Sequence, residues 1–277
     1  MLELLHKALF AFISGFSELF FVPAAAHQLL YRTLSGYDLS DSFLSFGIHL
    51  GCLVALMMNY HERIRYLRNQ KRLERPGKRR RGRQPDVAAL IDIRILNTAV
   101  WPLLLGILLY QKAQIWITGP FRVALILTLN GMLLYLPRLL SSGNKNSHSF
   151  TRFDGVLMGL GGGLSVFAGF SRLGGMYSIG ISRGAERSYA LDLSILLSIP
   201  AIAAMLCIDI FSCTTGMANI TGLLLLGSLV AFVTSYAGAY LGIRLIRLTI
   251  NRTNTVGFAY YSWGLAMFLL LIYLFVS

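Results

Sequence analysis

Three cysteines, seven prolines and twelve acidic residues are all that this 277-residue chain holds of those types. Cys52, Cys207 and Cys213 follow no metal-ligand spacing and are too few for a disulfide framework, so a zinc- or disulfide-stapled scaffold is excluded. Charge is scarce as well. Only 13% of the residues are charged, against 55% hydrophobic, and the mean hydropathy is +0.62. Those proportions exclude an ordinary soluble domain and a disordered chain, and they leave a polytopic membrane protein.

A spanning helix needs about 20 predominantly apolar residues. Runs of that kind lie at 41–60, 95–115, 119–137, 189–210, 221–243 and 256–276. Two further apolar stretches, 4–34 and 155–182, hold charges and many small residues, and they share a pentapeptide. The first contains GFSEL at 15–19 and the second GFSRL at 169–173, so that Glu18 in one answers Arg172 in the other. Lys7, an apolar run and AAAH give the start of the chain a leader-like look, but Glu18 inside the run argues against a cleaved leader.

The cations set the topology. Eleven of the 25 Lys and Arg fall between Arg63 and Arg83. A loop at 61–90 with that charge belongs on the cytoplasmic side. The same charge would suit anionic lipid head groups or nucleic acid. Because the loop directly joins two spans, topology is the favoured reading and no nucleic-acid partner is expected. Arg138, Lys145 and Arg152 then lie inside, as do Arg183, Arg187, Arg244, Arg247 and Arg252. This count requires 155–182 to enter the membrane and return on the same side. The ten glycines from Gly155 to Gly184 suit a re-entrant hairpin. The repeat assigns the same form to 4–34, with its VPAAAH break.

Three spans separate the two hairpins, so the second unit is upside down relative to the first. The expected fold is an all-α polytopic membrane protein with an inverted-topology repeat. It has about six transmembrane helices plus two re-entrant helical hairpins, with residues 1–137 and 155–277 as the two units of one membrane domain. Glu18 and Arg172 would then approach each other from opposite faces.

An ionisable residue at membrane depth is expensive and marks a functional site by default. Glu18 and Arg172 can simply pair. His27 just after the break, Ser17 and Ser171 before the two charges, and the glycine-rich backbone around Arg172 favour a site instead. Arginine with hydroxyls and free amides suits phosphate, and Glu with His suits proton transfer or a metal. His49 sits within a span and faces the same cavity in this reading. Glu186, Asp192 and Asp209 are weaker candidates, with Asp209 expected near the outer surface.

These residues resemble the bacterial undecaprenyl-diphosphate phosphatase family of the BacA/UppP type. SGFSELFFVPAAAH, residues 14–27, is similar to its first motif and matches at Glu18, Val22 and His27. AGFSRLGGMY, 168–177, resembles its second and matches at Gly169, Ser171, Arg172 and Gly174. GAERSYALDLSILLSIP, 184–200, and HLGCLVAL, 49–56, are similar to two more stretches in the same register. The departures are Ser14, Phe21, Pro23–Ala24, Ala26, Ala168, Leu173 and Met176 inside the motifs, and His49, Gly162 and Ser262 elsewhere.

The resemblance implies the two-hairpin inverted repeat and removal of the terminal phosphate of undecaprenyl diphosphate, which recycles the carrier lipid for peptidoglycan and is linked to bacitracin resistance. It implies a divalent cation, Mg²⁺ or Ca²⁺. It makes Glu18, His27 and Arg172 catalytic, with Glu18 and His27 as the acid/base or metal-linked pair and Arg172 holding the diphosphate. Ser171, Gly169, Gly174, Ser17 and His49 become head-group contacts. It implies a multi-pass protein of the bacterial plasma membrane, whose partners are the polyprenyl lipid and the membrane, with a homodimer as an option. Two other readings stay open. One is a homologue without hydrolysis that binds or moves polyprenyl phosphate; the other is a structural partner of an envelope enzyme.

Overall fold

The computed structural model describes residues 2–37, 39–74, 84–109, 119–140, 143–215, 221–250 and 255–276. Among them are ten α-helices. The first five are α1 (Leu2–Glu18), α2 (Ala24–Ser35), α3 (Ser42–Glu74), α4 (Val87–Leu108) and α5 (Pro120–Leu139). The second five are α6 (Arg152–Gly163), α7 (Arg172–Ser182), α8 (Arg187–Thr215), α9 (Gly222–Ile250) and α10 (Val256–Val276). Six of them, α3, α4, α5, α8, α9 and α10, are long and apolar enough to cross a membrane. They overlap the six runs read from the sequence, although α4 begins at Val87 against a run at 95–115 and α9 continues to Ile250 against a run at 221–243.

The two remaining stretches are helix–break–helix hairpins. α1 stops at Glu18 because the chain then meets Pro23, which donates no N–H and sits extended at φ −78°, ψ 115° ahead of α2. α2 ends on Gly36 in the left-handed region at φ 70°. In the second hairpin a short 3₁₀ turn, Leu164–Val166, follows α6, and Gly169 at φ 124° swings the chain into α7. A side chain at Gly169 would be strained there and would press on Ile126. Ser171 caps α7 by accepting from the Gly174 amide at 3.1 Å. The feet of the hairpins are closed differently. Near the first foot, His6 bonds Tyr31 at 2.9 Å and stacks on Tyr37. Near the second, buried Asp154 accepts from Arg183 at 2.6 Å and pairs with Lys145 at 3.5 Å.

The helices pair reciprocally. α1 lies on α9, with Gly15 against the Ser235 backbone and Gly238 against Phe12 and Phe16. α6 lies on α4 in the same manner, with Gly159 against Ala99 and Gly163 against Gly106. Each hairpin thus leans on the second long helix of the other half. α3 packs on α8, and α5 on α10, where Gly131 lies beneath the Trp263 indole. In hydrocarbon no hydrophobic force draws helices together, so close backbone approach through small residues holds such contacts.

One boundary differs from the sequence reading. The stretch 61–90 is not a loop throughout. α3 runs on to Glu74, since Arg, Lys, Gln and Leu are good helix formers and no Gly or Pro interrupts them. Arg63–Asp92 at 2.9 Å and Arg94–Glu74 at 3.0 Å brace this extension on α4. Residues 75–83, the rest of the basic run, lie outside the described residues, as do 110–118 and 216–220.

A methyl group added at Gly106 would sit 2.5 Å from the Gly163 Cα. Gly106→Ala is expected to lower stability in detergent by about 1–3 kcal/mol, the usual cost of overpacking. Thermal unfolding followed by size-exclusion chromatography checks this, and an unchanged transition would show that the α4–α6 contact can open freely.

Candidate functional site

Glu18 ends α1 and Arg172 begins α7, so the hairpin breaks bring the two charges together. Arg172 Nη2 donates to Glu18 Oε1, and the side chains are 6% and 17% exposed. Each charge lies at the helix end that disfavours it: a cation at the positive N-terminus of α7, an anion at the negative C-terminus of α1. The pairing offsets that cost. It also leaves donors to spare, because Arg172 Nε is buried without an acceptor among the described residues. A guanidinium has five N–H donors, and one carboxylate oxygen uses few of them.

The pair lines a cavity of about 130 Å³ whose other polar walls are Ser17, Gln28, Ser45, His49, Ser165 and Asp209. His49 Nδ1 lies 2.5 Å from Asp209 Oδ2, and Ser45 Oγ donates to Asp209 Oδ1 at 2.9 Å. Gln28 Nε2 donates to Ser14 Oγ at 3.2 Å.

Of the residues singled out in the sequence, Glu18, Arg172, Ser17 and His49 line this cavity. Ser171, Gly169 and Gly174 do not. They shape the tip instead: the Ser171 amide donates to Asn130 Oδ1 at 2.9 Å, and its hydroxyl approaches the Phe20 carbonyl at 3.4 Å. Asn130 in turn donates to Ser262 at 3.0 Å, so a buried polar relay ties α7 to α5 and α10.

His27 faces elsewhere. Its Nδ1 lies 2.8 Å from the Pro23 carbonyl, which can only accept, so Nδ1 carries the proton. Nε2 then accepts from Tyr261 Oη at 2.5 Å, with the two rings stacked. His27 and Tyr261 line a second, apolar cavity of about 770 Å³ with Phe12, Phe16, Phe20 and Phe258. Glu18 and His27 therefore do not share a wall, and both ring nitrogens of His27 are engaged. The paired metal site expected of them is not assembled, and among the described residues no three His, Cys, Asp or Glu converge on a metal position. Ser17 and Val22 line both cavities and form the seam between them.

Sequence reasoning missed Gln28, Ser45 and Ser165, which carry no signal beyond a polar side chain beside an apolar run. It ranked Asp209 among the weaker candidates, near the outer surface; Asp209 lies towards the end of α8 and is buried in the cavity wall. A carboxylate at the end of the run 189–210 was itself the signal.

The model of the family described as bacitracin resistance protein BacA matches residues 7–268. The chain belongs to that family. A protein of Carboxydothermus hydrogenoformans named undecaprenyl-diphosphatase is 26% identical over 262 residues, covering 94% of each chain. One of Methanosphaera stadtmanae with the same name is 29% identical over 271 residues, covering 94% of this chain and 95% of its own. Undecaprenyl-diphosphatase 1 of Shouchella clausii is 26% identical over 272 residues, with 96% and 95% covered. In this BacA-family chain Ala24 and Ala25 face the cavity, so the segment after Pro23 brings no hydroxyl to it.

Glu18→Gln or Arg172→Gln alone strands the other charge, and either is expected to cost about 3–5 kcal/mol. The double variant Glu18→Gln/Arg172→Gln should lose less than the sum. Denaturant unfolding in detergent checks the cycle, and strictly additive losses would show the two charges to be independent.

Proposed function

We propose that this multi-pass membrane protein hydrolyses the terminal phosphate of undecaprenyl diphosphate. The released undecaprenyl phosphate would return as carrier lipid for peptidoglycan and other envelope polymers of a bacterial plasma membrane. The observation that carries the reading is the seam at Ser17 and Val22. On one side lies a small polar cavity holding a buried arginine with an unused donor. On the other lies an aromatic, apolar cavity about six times larger. A lipid with a diphosphate head matches both.

In this proposal the diphosphate enters the polar cavity and Arg172 exchanges Glu18 for phosphate oxygens, which its planar fork binds with two parallel hydrogen bonds. The anion also meets the positive end of α7. Ser17 donates its hydroxyl at the seam. His27 and Tyr261 close the wall between head group and tail from the lipid side. Water is the nucleophile in this proposal: the segment after Pro23 brings only Ala24 and Ala25 to the cavity, and the Ser45 hydroxyl is engaged with Asp209. A divalent cation, Mg²⁺ or Ca²⁺, belongs to the proposal. The freed Glu18 carboxylate and the substrate's own phosphates would hold it, as Mg²⁺ is commonly bound, and it would neutralise phosphate charge.

The cavity serves the outer side. Ser45 and His49 stand near the start of α3, and Met205, Ile208 and Asp209 near the end of α8. The cationic ends of the same helices, Arg63–Arg72 and Arg187, lie at the opposite pole, which the positive-inside rule assigns to the cytoplasm.

Purified protein in detergent should release phosphate from undecaprenyl diphosphate, and EDTA should suppress the release. Arg172→Ala should reduce kcat at least about 100-fold, the usual effect of removing one donor to a developing charge. Arg172→Lys should recover part of it. Wild type that releases no more phosphate than Arg172→Ala would overturn the phosphatase reading, and a flip assay with labelled polyprenyl phosphate in liposomes would then test movement of the lipid.

A further inference from the structure

His49 and Asp209 meet in the cavity wall from helices whose contacting residues are 160 positions apart in sequence. Asp209 engages with both oxygens: Oδ2 takes the Nδ1–H of His49 at 2.5 Å, and Oδ1 takes the Ser45 hydroxyl at 2.9 Å. An ionised carboxylate only accepts, so Nδ1 carries a proton, and the neutral imidazole keeps its lone pair on Nε2. Nε2 has no hydrogen bond among the described residues, and His49 lines the same cavity as Glu18 and Arg172. The side chains are 12% and 10% exposed. If holding α3 against α8 were all that was needed, an apolar contact would serve without the desolvation cost of a carboxylate. A histidine oriented by a carboxylate, with its second nitrogen open to the site, is the arrangement of a general base.

We propose that His49 is the catalytic base that activates water in this site and that Asp209 is its positioning residue. The proposal rests on the phosphatase reading and deepens it. The oxygen of water bonds to the terminal phosphorus while its proton passes to His49 Nε2. The bond between that phosphorus and the bridging oxygen breaks, and its electron pair leaves on polyprenyl phosphate. Asp209 stabilises the imidazolium, which returns its proton to solvent.

The other charged groups that line the cavity with His49 and Asp209 are Glu18 and Arg172. α9, on the far side of α3, bears no Lys, Arg, Asp or Glu before Arg244.

The test is phosphate release from undecaprenyl diphosphate. His49→Gln should lower kcat about 100-fold or more, the range for a general base, with KM nearly unchanged. His49→Ala should regain rate with added imidazole. Asp209→Asn should lower kcat with KM nearly unchanged, and Asp209→Glu should recover part of the rate. Melting temperature and elution volume verify that each variant is folded. His49→Gln and Asp209→Asn that keep the wild-type kcat, while Arg172→Ala is inactive, would overturn this inference alone. Wild type without phosphate release would overturn the phosphatase reading and the inference with it.

Discussion

The ion pair between Glu18 and Arg172 is the constraint around which the structure is built. Neither charge could stand at membrane depth alone, and each sits at the helix terminus that disfavours it. Together they are tolerable, provided that two interrupted helices end at the same point. This requires a break after Glu18, which Pro23 supplies, and a sharp turn before Arg172, which Gly169 supplies. Each hairpin must also be held against a long helix of the other half, as the glycine contacts of α1 on α9 and α6 on α4 do. Phe21 completes the clamp, fully buried between Tyr177 and Phe258.

The same constraint shapes the chemistry. A buried arginine paired with a single carboxylate can change partners, and a phosphate is a natural competitor for it. The polar cavity beside the pair is too small for a lipid chain. The aromatic cavity across Ser17 and Val22 has too few polar groups for a diphosphate. Only an amphiphile with both parts uses the whole site.

Much of this was legible in the sequence. Span length, the two interrupted stretches and the Glu18–Arg172 correspondence all follow from hydropathy, charge and a repeated pentapeptide. What escaped depended on rotation about helix axes and on side-chain direction. His27 lies one turn after Pro23, whose carbonyl captures its ring and turns it toward Tyr261 rather than Glu18. Ser171 resembles a ligand-binding serine but caps α7. The meeting of Asp209 with His49 escaped because a linear run does not show that α8 presents its far end to α3. The length of α3 was hidden by its charge: basic residues were read as loop, although they continue a helix well.

That length has a consequence for insertion. At 1.5 Å per residue the 33 residues of α3 extend about 50 Å, against a hydrocarbon core of about 30 Å. The surplus carries Arg63, Arg65, Arg68, Lys71 and Arg72 beyond the apolar layer on one side only. Dragging even some of them through lipid would cost about 2.5–3.5 kcal/mol each on insertion scales. α3 therefore works as a keel: it fixes how deep the molecule rides and forbids the capsized orientation.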